Sequence, residues 1–244
     1  MNKINEAVWH DYDRDKQIEQ KLQILRTWIP SDVAGIIDVG CGNGIICNAL
    51  ADSYEVLGVD ISETALSYVN TPKLRASATE IPLPDRSFDL VLSSEMLEHL
   101  TSSELALAIS ELKRLSKRYI IVSVPNQEQL EKLLVKCAVC HQTYHAYGHL
   151  HSFTADKLAA MFPEFKVIKT LQFGPSEPLY HRTLLRLRQR IAGQYFHPET
   201  PTNCPHCHSM EFVRRSNLLS KACNYLNPPH SRAYWLMMLL ERRA

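Results

Sequence analysis

The sequence predicts an α/β protein built on a doubly wound, mostly parallel sheet. Short apolar runs alternate with segments that can form helices over most of the 244 residues. The first apolar run leads through an acid into a glycine-rich turn, "IIDVGCGNG" at 36–44, and the second, "YEVLGVDIS", ends in another acid. Ligands of such sheets bind beyond the carboxyl ends of the parallel strands. The fold class therefore also predicts where a site lies.

The pattern predicts seven strands and a leading helix. Helices fall between most of the strands, and residues 1–30 read mostly as one helix that ends near Pro30. The strands are expected near 36–39, 55–60, 74–77, 88–93, 118–124, 165–173 and 233–242.

Composition sets limits on compartment and partners. The formal net charge is +1 and the hydrophobic content is 45%, which allows a sizeable core and weighs against nucleic acid as the partner. No apolar run follows the start, and no stretch approaches the ~20 apolar residues that span a bilayer. We therefore expect a cytoplasmic protein without a membrane span, whose cysteines stay reduced.

The glycine turn favours a ligand that carries a positive charge. Gly40, Gly42 and Gly44 alternate along the turn, and Asp38 precedes them. Glycine lets the backbone turn tightly and approach a ligand closely. A fixed carboxylate beside that turn disfavours pyrophosphate, the usual ligand of related turns. The sequence therefore predicts a cationic ligand group near Asp38.

The acid at the tip of the second strand is a candidate ribose ligand. Asp60 lies sixteen residues beyond Gly44, and a carboxylate there can accept hydrogen bonds from two ribose hydroxyls. The alternative is a helix N-cap for the following "SETALSYV" segment. Ser62 suits that role better.

Four blocks in order resemble the class I S-adenosylmethionine-dependent methyltransferases. They are "DVGCGNG", "GVDIS", "IPLPDRSFDLVLSSEMLEHL" and "YIIVSVPN", and "YWLMMLLERR" resembles the last strand of that family. The resemblance implies a Rossmann-like seven-stranded sheet and S-adenosyl-L-methionine as the cofactor. It places the methionine part at Asp38 and the glycine loop, the ribose at Asp60 and the adenine against Ile61.

The adenine end departs from the family pattern. The family often has Gly-Asp-Ala after the third strand, where the acid contacts the adenine amino group, and this chain has Ala76-Ser77-Ala78. Ser77 can accept a hydrogen bond, and the main-chain N–H of Ala78 or Thr79 can contribute. Ser94, at the tip of the fourth strand, completes the expected cofactor site.

Three histidines are candidates for the base that activates the methyl acceptor. His99 follows Glu95 at i+4 in what reads as a helical turn, in a stretch that resembles quinone-biosynthesis O-methyltransferases. His145 and His149 bracket "AYG" in a histidine-rich segment, and imidazole is the usual base near neutral pH. The alternatives are local packing for His99 and support of a metal loop for the other two.

The cysteines predict a zinc site. "KCAVCH" and "NCPHCH" each contain Cys-x-x-Cys-His, which also attaches haem, but haem attachment normally follows export. We predict one four-cysteine zinc site that closes a lid. A mixed set with His141 or His208, or two unlinked pairs, are alternatives. The expected ligands are Cys137, Cys140, Cys204 and Cys207.

These patterns predict a domain organisation with an insertion. Residues 1–173 and 233–244 form the expected Rossmann-like domain, and 174–232 form an insertion that pairs with 134–152 at the zinc site. Within the insertion, "YHRTLLRLRQRIAGQYF" reads as a basic amphipathic helix. Its arginines at 182, 186 and 190 face either solvent or an acidic acceptor.

The expected function is methyl transfer to oxygen or nitrogen of a small molecule. An RNA- or protein-directed methyltransferase that docks through the zinc module is the main alternative, and a cofactor-binding protein without catalysis is another. An Asn/Asp-Pro-Pro-Tyr/Phe stretch after the fourth strand favours base or glutamine methylation, and this chain has Ser93-Ser94-Glu95-Met96 there. The sequence leaves the acceptor and the oligomeric state open.

Overall fold

The computed structural model describes residues 16–198 and 202–243, which form two compact units. The first, which we call the sheet unit, comprises residues 16–126, 153–175 and 233–243. The second, which we call the cysteine unit, comprises residues 127–152, 176–198 and 202–232. The first half of the predicted leading helix, residues 1–15, lies outside the described residues.

A seven-stranded sheet organises the fold, and its order is β3-β2-β1-β4-β5-β9-β8. β1 to β5 pair in parallel and β9 runs antiparallel to β5. This sheet confirms the predicted fold class. The strands are β1 (Gly35–Val39), β2 (Glu55–Asp60), β3 (Lys73–Arg75), β4 (Phe88–Ser94), β5 (Ser116–Pro125), β8 (Phe165–Pro178) and β9 (Ser231–Arg242).

Five helices lie in the sheet unit, and their caps explain where they begin. Thr101 forms a capping box with Glu104 at the start of α4, and Ser62 accepts a hydrogen bond from the Ala65 N–H at the start of α3. The helices are α1 (Lys16–Trp28), α2 (Ile45–Leu50), α3 (Glu63–Leu66), α4 (Ser102–Leu115) and α5 (Ala155–Ala159).

Alternate residues of the central strands enter two separate cores, one on each face of the sheet. Ile37 packs in a cluster with Leu112 of α4, whereas its neighbour Ile36 packs with Leu25 of α1 and Leu50 of α2. Successive side chains of a strand point to opposite faces, so helices on both sides are needed to cover the apolar runs. The cores leave the carboxyl ends of the strands for the site.

The cysteine unit contains short elements and a small core. A two-stranded hairpin joins β6 (Leu134–Lys136) to β7 (Thr143–His145), and the helices are α6 (Arg182–Arg186) and α7 (Leu218–Tyr225). The core of the hairpin comprises Val135, Cys137, Tyr144, Ala146 and Cys204. No described helix is long and apolar enough to cross a membrane.

The predicted basic amphipathic helix over 180–196 is shorter than expected. α6 gives way to a π-helical turn at Leu187–Ile191, and the apolar side chain of Ile191 is 69% exposed. Arg188 is buried instead, where its guanidinium contacts the Tyr180 ring and the Asn224 side chain. Periodicity alone did not distinguish the side of this segment that faces the protein.

Candidate functional site

The glycine loop after β1 has the backbone that the sequence predicted. Gly40, Gly42 and Gly44 have φ of 78°, 56° and 79°, in the left-handed region that favours glycine. A Cβ on Gly40 would lie 2.5 Å from Cγ of Met96, so this position excludes any side chain. The loop therefore offers a bare backbone edge at the start of α2.

The Asp38 carboxylate lies next to this loop, and only one of its two oxygens is hydrogen-bonded within the described residues. Oδ2 accepts a hydrogen bond from the Cys47 thiol at 3.3 Å, whereas Oδ1 is buried without a partner among the described residues. Burial raises the pKa of Asp38 to about 7, against the lowering effects of Cys47 and of the Lys21 charge. A buried, unsatisfied carboxylate is costly, and a cationic ligand group would satisfy it.

Asp60 connects β2 to the glycine loop. Its Oδ2 accepts from the Gly42 N–H at 2.9 Å, and its Oδ1 accepts from the Ser62 N–H at 2.8 Å. Each carboxylate oxygen has a further lone pair, so Asp60 can still accept from two hydroxyls. Ile61 follows with 43% of its side chain exposed, which leaves an apolar surface beside that carboxylate.

Ser77 and Thr79 form a tight turn after β3. Their hydroxyl oxygens lie 2.7 Å apart, and the Thr79 N–H donates to Ser77 Oγ at 3.2 Å. Ala78 lies between them, partly buried against the core. The Ser77 hydroxyl is thus already engaged within the turn, so it contacts a ligand only by sharing or exchanging that bond.

A buried lysine that the sequence did not single out sits at the end of β4. Lys21 of α1 is 5% exposed, and its Nζ donates to Ser94 Oγ and to Glu95 Oε1, both at 3.1 Å. Its ammonium lies 4.4 Å from the centroid of the Trp235 ring, and Ser123 donates to the same Glu95 oxygen. The sequence did not indicate this role, because Lys21 lies in a segment that reads as an ordinary surface helix.

His99 lies in a 3-10 turn, Leu97–His99, that follows β4. The predicted helical face shared by Glu95 and His99 is wrong. Glu95 has a φ of 54° and is outside the turn, with its carboxylate held by Lys21. Glu98 beside His99 is fully buried. The left-handed residue at the strand end reverses the chain before any helix can begin.

His149 and His145 come together in the cysteine unit with an acid that the sequence did not identify. His149 Nδ1 lies 2.6 Å from Glu128 Oε2, and the two imidazole rings stack with centroids 4.9 Å apart. Burial raises the pKa of Glu128, but the hydrogen bond and charge of His149 outweigh burial and hold this pKa below its usual value. Glu128 lies 21 residues before His149, too far for a sequence motif.

His145 has its tautomer fixed by backbone donors. Its Nδ1 accepts from the N–H groups of Tyr147 and His149 at 3.3 and 3.1 Å. The proton of the neutral ring therefore sits on Nε2, which is buried without a hydrogen-bond partner among the described residues. Burial lowers the pKa of His145 to about 4, so this ring is neutral at pH 7.

The four cysteines of the two Cys-x-x-Cys pairs converge. Cys137 and Cys207 have their Sγ atoms 3.6 Å apart, as do Cys140 and Cys204, and all four sulfurs lie within 4.8 Å of one another. These spacings exclude a disulfide, whose sulfurs are about 2.05 Å apart. A tetrahedral zinc ion with sulfurs at about 2.3 Å separates them by about 3.8 Å. The four thiols thus fit a metal.

The backbone of the first pair also suits a thiolate. The Cys140 N–H donates to Cys137 Sγ at 3.5 Å, and it lowers the pKa of the Cys137 thiol to about 7. His141 and His208, the alternative ligands, have left-handed φ of 60° each and do not belong to the described cluster of sulfurs. Each histidine instead lies in the turn that follows its Cys-x-x-Cys pair.

Comparison with known proteins agrees with the geometry of the sheet unit. Residues 37–120 match the family described as a methyltransferase domain. A probable S-adenosylmethionine-dependent methyltransferase of Mycobacterium tuberculosis is 32% identical over 100 residues, which cover 38% of this chain and 36% of that relative. A ubiquinone biosynthesis O-methyltransferase of Photobacterium profundum is 26% identical over 166 residues, which cover 56% of this chain and 70% of the relative.

A solved structure shows the same fold. The 1,6-didemethyltoxoflavin-N1-methyltransferase of Burkholderia thailandensis, with its substrate and S-adenosylhomocysteine bound, superposes with a TM-score of 0.56 at 13% identity over 97% of this chain and 81% of that chain. The fold is that of the class I methyltransferases. The chain spans about a third of the length of the mycobacterial relative. The matched domain and the mycobacterial relative are both described as methyltransferases.

Proposed function

We propose that this chain transfers a methyl group from S-adenosyl-L-methionine to an oxygen or nitrogen of a small-molecule acceptor. The observation that carries the proposal is the unsatisfied Asp38 carboxylate oxygen beside a left-handed glycine loop. Both lie within the segment that matches the methyltransferase domain. A buried carboxylate needs a cation, and the cofactor carries one on its amino group and another on its sulfur.

The chain supplies the remaining contacts for that cofactor. The bound cofactor provides a methyl group already made electrophilic by the sulfonium. Asp60 accepts from the ribose hydroxyls with the lone pairs that the backbone leaves, and Ile61 covers one face of the adenine. The Ser77–Thr79 turn offers N–H and hydroxyl groups to the adenine edge. Lys21 fixes Ser94 and Glu95 at the rim of the site.

Proton removal from the acceptor falls to a histidine in this proposal. Glu128 lies within hydrogen-bond distance of His149 Nδ1 and orients the ring, and the base is the neutral form of that ring with its proton on Nδ1 and its lone pair on Nε2. Nε2 takes the acceptor O–H or N–H proton as the acceptor lone pair forms the new bond to carbon. His145, stacked on that ring and neutral, restricts its rotation. His99 is the alternative base in the sheet unit.

A small-molecule acceptor is supported by the relatives. One is named for ubiquinone biosynthesis, and the toxoflavin enzyme holds a small heterocycle together with the cofactor product. The chain also lacks the Asn/Asp-Pro-Pro-Tyr/Phe stretch after the fourth strand, which is found in enzymes that methylate nucleic-acid bases.

We further propose that the four cysteines hold one zinc ion with a structural role. Four thiolates fill a tetrahedral site and leave no position for substrate. The core of the hairpin is small, and two of its five buried side chains are ligand cysteines. Metal binding therefore supplies stability that a core of this size lacks. In this role the ion holds the two Cys-x-x-Cys pairs together within the cysteine unit.

Calorimetry with the intact chain tests the cofactor site. Asp38→Asn should weaken binding of S-adenosylhomocysteine and of the cofactor by about tenfold or more, because a charge-assisted bond is lost. Asp52→Asn, at an exposed turn, is the matched control and should bind normally. Equal affinity of the two variants would remove Asp38 from the cofactor site.

The acceptor class is tested separately with cofactor labelled in its methyl group. Label incubated with a cell extract should move into small molecules that pass a membrane filter. Label retained only in RNA or protein contradicts the small-molecule proposal and leaves the cofactor site intact.

A further inference from the structure

Helix α7 of the cysteine unit has its apolar side turned toward solvent. Leu218, Leu219, Tyr225 and Leu226 are 85%, 38%, 89% and 64% exposed. At about 100° per residue they occupy, with Ala222 between them, a single arc of about 120°. Single exposed apolar residues are ordinary, but a helix with an entire exposed apolar face is not. We call these four large side chains the α7 face.

The opposite side of the same helix, which carries Ser220, Cys223 and Asn224, is the side that contacts the protein. Ser220 is fully buried in the capping box with Asn217. Asn224 accepts from the Tyr180 hydroxyl at 3.0 Å and from Arg188 at 3.3 Å. These bonds fix the rotation of the helix, so α7 cannot turn its apolar side inward without breaking them. The α7 face is thus a stable feature of the unit.

Positive charge accumulates in the same part of the chain. Residues 176–232 contain eight lysines and arginines against three glutamates, although the whole chain has a net charge of only +1. Lys136, Arg190 and Arg215 line a cavity of about 240 Å³, and no acidic residue lines it among the described residues. None of the three cations forms an ion pair within the described ranges. The cavity is therefore suited to an anion.

A hydrogen bond connects the residue before the α7 face to a residue next to the lining of the cavity. Asn217, the N-cap of α7, donates from Nδ2 to the Ala192 carbonyl at 2.8 Å. Ala192 follows Arg190 and the exposed Ile191, both of which line the cavity. The start of the apolar face therefore lies beside the cationic cavity.

This combination selects one kind of partner. A second copy of the chain could cover the apolar face, but it would bring the same excess of positive charge to the contact. RNA would neutralise the arginines and leave the leucines in water. An anionic lipid surface satisfies both, since it takes apolar side chains at the headgroup boundary and attracts nearby cations.

We propose that the cysteine unit docks on anionic phospholipid membranes. The α7 face enters the boundary between headgroups and acyl chains, and the cavity at Arg190 and Arg215 receives a lipid phosphate. The apolar contact and the charge contact are distinct, so each can be removed alone. The proposal concerns docking and holds whichever acceptor the chain methylates.

Co-sedimentation of the intact, metal-loaded chain with vesicles tests the proposal. We expect binding to vesicles made of equal parts phosphatidylcholine and phosphatidylglycerol, little binding to phosphatidylcholine alone, and weaker binding as salt increases. The double substitution Leu218→Ser with Tyr225→Ser should abolish most binding. Leu107→Ser, which alters a 54% exposed leucine of α4, is the matched control and should bind as the parent does.

Substitution of the two arginines tests the charge contact separately. Arg190→Gln and Arg215→Gln should each lower the vesicle partition coefficient about fivefold. Lys169→Gln, at an exposed position of β8, should change it little. Competition by millimolar inorganic phosphate that removes all vesicle binding would show a site for free phosphate only, and it would overturn the membrane proposal.

Two further outcomes overturn it. If the parent chain is a dimer in solution and Leu218→Ser with Tyr225→Ser makes it a monomer, the α7 face is a contact between copies. If the arginine variants lose RNA binding while the parent ignores both kinds of vesicle, the cavity serves a nucleic acid. Circular dichroism and zinc content equal to the parent establish that each variant is folded.

Discussion

Nδ1 of His149 lies 2.6 Å from Oε2 of Glu128, and both side chains are almost fully buried. A carboxylate at this distance holds the ring in one orientation and one tautomer. His145 stacks on the same ring. The cysteine unit thus contains an oriented imidazole pair besides its cysteine cluster, and this pair supports the proposed base.

Glu128→Gln should allow His149 to adopt both neutral tautomers. A neutral amide can donate as well as accept, so the ring is no longer restricted to a proton on Nδ1. Nitrogen NMR of the imidazole should change from one tautomer to a mixture, and turnover should fall about tenfold or more. Glu131→Gln, at an exposed position nearby, should alter neither. A single unchanged tautomer with parental turnover would remove Glu128 from the mechanism.

Asp38→Asn should stabilise the cofactor-free protein, increasingly so as the pH rises. Burial raises the folded pKa of Asp38 to about 7, while the unfolded chain ionises near 4. Between these pKa values the unfolded state loses its proton first. The free energy of unfolding of the parent therefore falls by up to ~1.4 kcal/mol for each pH unit. In urea unfolding, the free energy of unfolding of the Asp38→Asn variant should exceed that of the parent by more at pH 8 than at pH 4.5. Equal advantages at both values contradict the raised pKa.

Gly40→Ala should impair both folding and cofactor binding. The left-handed φ costs about 1–2 kcal/mol for a residue with a Cβ, and the 2.5 Å approach to Met96 adds strain. Gly35→Ala is the control because its Cβ would meet only Asp89 Oδ2 at 3.7 Å, with no left-handed φ. Thermal unfolding and calorimetry should separate the two variants, and identical melting temperatures contradict the assigned loop geometry.

Cys204→Ser should release zinc and loosen the cysteine unit. Loss of one of four thiolates opens the tetrahedral site, so elemental analysis should fall below one zinc per chain and limited proteolysis should cut within 127–232. Cofactor affinity should stay within about a kcal/mol, roughly fivefold. Cys223→Ser, outside the cluster, should keep the metal. If the parent protein is purified without chelators and contains no metal, the zinc site is ruled out.

Lys21→Met should destabilise the sheet unit by about 3–5 kcal/mol. The substitution leaves the Glu95 carboxylate without its ammonium partner in a largely buried position. Adding Glu95→Gln should recover part of the loss, because the neutral amide no longer needs the cation. A double-mutant cycle from urea unfolding measures this coupling. Additive losses indicate that the two side chains act independently.

The sheet and the glycine loop were predictable because their signals are local. Apolar runs that end in an acid, with glycines at alternate positions, dictate a strand and a tight turn wherever they occur. The structure confirms the seven strands, although β3 is limited to Lys73–Arg75. The cofactor and metal roles of single residues stay predictions.

The sequence by itself determined the fold class, the glycine turn with its acid, and the paired cysteine spacing. Only tertiary structure decided that Lys21 sits under Glu95, that Glu128 holds His149, and that α7 turns its leucines outward. These contacts join residues distant in sequence or depend on the rotation of a helix. Hydrophobic periodicity specifies that a face is apolar, but the packing of the rest of the chain decides what that face meets.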